Sequence, residues 1–60
     1  MSYGEAEFSR EAELSVIADM IEAASSEGML VEVVWSFGEE MKSGKSLGVA
    51  ASNALYEWDI

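Results

Sequence analysis

Apolar and polar positions fall into three blocks, separated by breaks at Gly28 and at the Lys-Ser-Gly-Lys-Ser stretch from Lys42 to Ser46. In the first block Leu14, Ile17, Ile21 and Ala24 recur at three- and four-residue spacing. Glu11, Ser15, Asp19 and Glu22 take the other side, which predicts an amphipathic helix. Ser9 is placed to cap its start, with Glu11 near the positive end of the helix dipole, and Gly28 is placed to end it in the left-handed conformation. Residues 1–8 show no sustained period and contain Gly4, so they read as a loosely held arm with Tyr3 and Phe8 as anchors.

The second block begins with residues 29–37, MLVEVVWSF, where only Glu32 and Ser36 interrupt the apolar run. As a strand it would set Met29, Val31, Val33, Trp35 and Phe37 on one face. As a helix it gathers Glu32, Ser36, Glu39 and Glu40 on one polar stripe, opposite Leu30, Val34, Phe37 and Met41. The helical period persists to Met41 and the alternating one does not, and a lone strand would have no ladder partner within the chain. A helix is therefore expected, with α+β and a strand at 29–37 as the alternative.

The third block starts at Ser46, a capping residue, and runs to about Trp58 with Leu47, Ala51, Ala54, Leu55 and Trp58 on its apolar side. The expected fold class is all-α: two or three short helices in a hairpin or small bundle, forming a single small helical domain over 1–60. Leu30, Val34, Phe37 and Met41 are expected to face the first and third helices. Val31 and Trp35 are then left on another flank beside Gly38, and these three residues are the candidate interface. Trp58 is expected in the core, and Met20, Met29 and Met41 as gap-fillers within it.

Size makes that surplus consequential. A 60-residue chain buries only about 60% of the surface its unfolded form exposes, and domains of this size commonly need a staple. Cysteine and histidine are both absent, which removes disulfides and most metal clips. Association of two copies through a two-fold axis is the staple that remains, so a homodimer is expected.

Charge decides which partners are plausible. Twelve acidic residues against Arg10, Lys42 and Lys45 give a net charge of −9, a field that repels phosphate backbones and attracts basic protein surfaces. Direct nucleic-acid binding is thus not expected, whereas a basic protein is a suitable partner. No apolar run approaches the roughly 18 residues of a membrane span. The acidic start MSYGEAEF is unlike a secretory signal, so a cytoplasmic location is expected.

Candidate chemistry changes the picture little. The segment from Gly38 to Ser46, GEEMKSGKS, ends like a phosphate-binding loop, yet Gly38 and Gly44 enclose five residues where the motif needs four. It reads as an inter-helix turn. Glu39 and Glu40 are the densest carboxylate pair, but adjacent helical residues diverge by about 100° and read as solvated surface. No serine has a histidine to activate it. No catalytic, cofactor-binding or metal-binding residue is assigned, and an enzyme is not expected.

The C-terminal half carries a pattern of Glu32-Val33-Val34, Lys42 in the turn, and Ala54-Leu55 followed by Glu57-Trp58. In this it resembles short acidic helical proteins encoded by marine bacteria and their phages. That resemblance implies a helical second segment and brings no activity with it. Function is accordingly expected to be that of a small protein-interaction module, homodimeric, with an acidic exterior. The alternative is an acidic nucleic-acid mimic that occupies the groove of a basic protein.

Overall fold

A computed structural model of the chain describes the backbone from residue 2 to residue 60 and the side chains from residue 10 to residue 60. The first helix begins at Ser2 and not at the expected Ser9 cap, so residues 2–8, expected as a loosely held arm, are helical, while the side chains of the expected anchors Tyr3 and Phe8 lie outside the described residues. Three helices follow one another: α1 (Ser2–Ser26), α2 (Leu30–Lys42) and α3 (Leu47–Glu57). Each packs on both of the others, α2 on α3 most extensively. The fold is all-α, and residues 29–37 are helical apart from Met29, which stands at the N-cap of α2.

All three helices end in the same way. After α1, Met29 N–H bonds to Ala24 O at 2.9 Å and Gly28 N–H to Ser25 O at 3.0 Å, with Gly28 at φ 70°. Crossed bonds around a left-handed residue satisfy carbonyls that would otherwise be orphaned at a helix end. Gly44 at φ 94° repeats the arrangement after α2, with Lys45 N–H on Glu40 O and Gly44 N–H on Met41 O. Asp59 at φ 62° repeats it after α3. The two interior breaks read from the sequence are therefore helix stops. Ser46 caps α3 as expected, its hydroxyl accepting from Val49 N–H at 3.4 Å.

The buried set among the described residues is small in volume: Met20 and Ala24 from α1, Val33 from α2, and Ala50, Ala51 and Ala54 from α3. Val16, Met29, Phe37, Leu55 and Trp58 pack around it, each half-buried. Alanine sets the geometry here. Where α3 presents Ala50, Ala51 and Ala54, neighbouring helices can approach closely, and close approach selects for small or well-fitted residues on the facing side.

That selection overturns the expected orientation of α2. Val33 is 0% exposed and Ser36 2%, whereas Leu30, Val34 and Met41, expected inside, are exposed. Of the four residues expected to face the other helices, Phe37 alone is half-buried. Relative to the expectation the helix is rotated by roughly a quarter turn at about 100° per residue. Two polar contacts explain why a serine can sit inward. The Trp58 indole donates from Nε1 to Ser36 Oγ at 2.8 Å, so the buried hydroxyl and the indole N–H satisfy one another. One turn on, Glu40 Oε1 accepts from Asn53 Nδ2 at 2.9 Å across to α3. In α1 a similar shift leaves Leu14 and Ile21 exposed and buries Met20, while Ala24 is inside as expected. Of the three methionines expected as gap-fillers, Met20 is buried, Met29 half-buried and Met41 exposed. For α3 the expected face is the observed one.

Candidate functional site

The outward side of α2 is the candidate site. Laid out at about 100° per residue, Leu30, Met41, Val34, Gly38, Val31 and Trp35 occupy one continuous arc, and Lys42 is the single charged residue within it. Val31 is 77% exposed and Trp35 63%. Leu30, Val31, Val34 and Trp35 line an open, almost wholly apolar groove of about 440 Å³. This is a helix with its larger apolar side chains turned outward, the reverse of the usual amphipathic arrangement.

Gly38 lies at the middle of that arc. A methyl group added there would meet nothing within 4 Å, so the packing of this chain does not require glycine. Glycine in a helix interior costs about 1 kcal/mol relative to alanine. Its presence opens a shallow gap in the face, with Val34 on one side and Val31 and Trp35 on the other.

Electrostatics divide the C-terminal end of α2 into two parts. On the outward side Lys42 Nζ stands 3.7 Å from Glu39, both well exposed, and a pair of that kind contributes little to stability. On the inward side Glu40 is held by Asn53 and, at 3.4 Å, by Lys45. The Asn53 hydrogen bond first, and Lys45 second, hold its carboxyl below the ordinary value of 4.5, against partial desolvation that pushes the other way. Glu40 is thus a tie between α2 and α3, a correction to its expected place on the solvated surface; Glu39 is exposed as expected. Asn53 had no signal of its own in the sequence, since its partner lies thirteen residues away.

Of the three candidate interface residues, the structure brings Val31, Trp35 and Gly38 onto one surface and adds Leu30, Val34 and Met41. Lys45 and Ser46, in the stretch resembling a phosphate loop, serve the turn: Lys45 reaches Glu40 and Ser43, and Ser46 caps α3. Among the described residues no three Asp or Glu side chains converge where a metal ion could be held, and no helix is long and apolar enough to cross a membrane.

Comparison with known proteins does not extend this picture. No family model, curated protein or solved structure matches the chain. The reading of its function rests on the geometry of α2.

Proposed function

We propose that the protein is a non-enzymatic interaction module that works as a cytoplasmic homodimer, joined through the outward side of α2 and presenting an acidic exterior to a basic protein partner. The observation that carries this reading is the exposure of Leu30, Val31, Val34, Trp35 and Met41 on one side of one helix. Contiguous apolar surface of that kind marks an interaction site on a small protein. The interior, built largely of alanines, leaves the chain short of apolar burial, and a second copy supplies what is missing. An exposed tryptophan at the edge of a groove is also the residue type most enriched at interface hot spots.

A second copy is favoured over a lipid surface by charge, because a chain of net charge −9 is repelled by anionic headgroups. The same charge opposes self-association at long range, so salt should strengthen the dimer by screening. Capture of a basic partner should instead weaken with salt. These opposite slopes separate the two interactions.

Size-exclusion chromatography with light scattering at micromolar concentration tests the reading. Twice the mass of one chain is expected, and the Trp35→Ser variant should run as a helical monomer. A wild-type chain that is folded and monomeric at these concentrations overturns it.

A further inference from the structure

The dimer reading leaves the order of the two helices open, and the outward side of α2 contains the features that decide it. We propose that two copies meet with their α2 helices antiparallel, about a two-fold axis that crosses the helix between Ser36 and Phe37, so that Trp35 of each copy lies over Gly38 of the other. This rests on the homodimer proposed above and goes beyond it by fixing orientation and register.

Shape supplies the first argument. Trp35 is the largest side chain on the face and Gly38 the one gap in it, three positions further along the helix. In antiparallel order about that axis, residue i of one copy faces residue 73 − i of the other, an arithmetic that pairs 35 with 38. Both ring-over-gap contacts then form at once, as two-fold symmetry requires. Parallel order sets Gly38 against Gly38 and turns the two Trp35 rings to opposite flanks, three positions away from the gap, which leaves a void that neither ring fills. The glycine that this chain's own packing does not need thereby acquires a reason.

Charge supplies the second. In antiparallel helices the same flank of each faces the same flank of the other. On α2 that flank runs from Val31 through Lys42 and Trp35 to Glu39 and Glu32. The register places Lys42 of one copy opposite residue 31 of the other, next to the other copy's Glu32, and does so twice. Among the described residues Lys42 has only an exposed pair with Glu39, so it is free to turn. Parallel order would gather Lys42 and Lys45 of both copies at one end and align the two helix dipoles.

The absence of cysteine from the chain gives a clean test by disulfide formation. Two variants are made, Val31→Cys and Met41→Cys, one carrying a mass tag, and they are oxidised alone and after mixing as reduced proteins. At a rise of about 1.5 Å per residue, the register puts positions 31 and 41 of opposite copies about 1.5 Å apart along the axis. The same arrangement puts each position about 14–17 Å along the axis from its own copy, beyond the roughly 7 Å between Cα atoms that a disulfide spans. The mixture should therefore accumulate the mixed disulfide, with neither variant linking to itself. Self-linking of both variants without the mixed product means parallel order, which overturns this proposal and leaves the homodimer standing. A dimeric mass with no linkage of any kind overturns the register as well as the order. A monomeric mass throughout removes the homodimer, and this proposal with it.

Discussion

The two sides of α2 make opposite choices. Inward, the helix offers Val33 and Ser36, small residues that fit against the alanines of α1 and α3, and completes its polar group with an indole from the end of α3. Outward, it offers Leu30, Val31, Val34, Trp35 and Met41, a larger apolar payload with nothing among the described residues to cover it. The inward side is specified by fit and hydrogen bonding and the outward side by hydrophobic area. With the homodimer proposed above, the fold of one chain and the assembly of two would draw on separate faces of the same helix, so each could be perturbed without the other.

The largest expected effect breaks the inward side. Ala54 is fully buried where α3 meets its neighbours, and Ala54→Leu should lower folding stability by about 1–3 kcal/mol through overpacking. Its counterpart is Trp35→Ala, which should change the stability of the dilute, dissociated chain by no more than about 0.5 kcal/mol, as expected of a surface substitution. Urea unfolding at low protein concentration measures both. Equal losses from the two variants would erase the distinction between the sides.

A smaller effect changes sign across the comparison. Gly38→Ala should stabilise the dissociated chain by about 0.5–1 kcal/mol, since a helix-interior glycine is replaced and the added methyl meets nothing. In the proposed dimer the same methyl would fill the gap that takes the partner's Trp35 ring, so association should weaken. Gly48→Ala serves as the control, because a methyl there also meets only open space, and it should leave association unchanged. Unfolding of the dilute chain and sedimentation of the concentrated one read the two effects separately.

How much of this was legible in the sequence differs from helix to helix. The face of α3, from Leu47 to Trp58, follows from spacing alone because its small residues also fit the interior. The helical state of α2 was legible too, in a period that outlasts the alternation of 29–37. Its orientation was not. Hydropathy ranks side chains by their transfer from water, while the alanine-lined interior selects by fit, and so Val33 and Ser36 displaced Val34 and Met41. The partner that makes Ser36 tolerable inside, Trp58, lies 22 residues away, beyond the reach of any periodicity. Val31 and Trp35 are exposed, as expected, but Leu30, Val34 and Met41, which share their surface, were assigned to the interior.

The smallest expected effect sharpens the inward side through pH. Glu40 has a folded-state pKa below the ordinary 4.5, so its contribution to stability is complete above that value and is lost as pH falls through the folded one. Glu40→Gln removes the titration and keeps an acceptor for Asn53. The stability difference between wild type and this variant should be constant from about pH 7 to pH 5 and shrink below about pH 4.5. A difference that grows on acidification would contradict the assigned cause.

The most direct test of the central claim follows Trp35 itself. In a Trp58→Phe background, where Trp35 is the sole indole, acrylamide quenching is measured across a dilution series together with the mass by light scattering. Trp35 is predicted to be shielded where the mass is that of two chains and to open to the quencher as the dimer dissociates. Quenching that stays high and unchanged at every concentration, with the protein folded, would show that no second copy covers the outward side of α2.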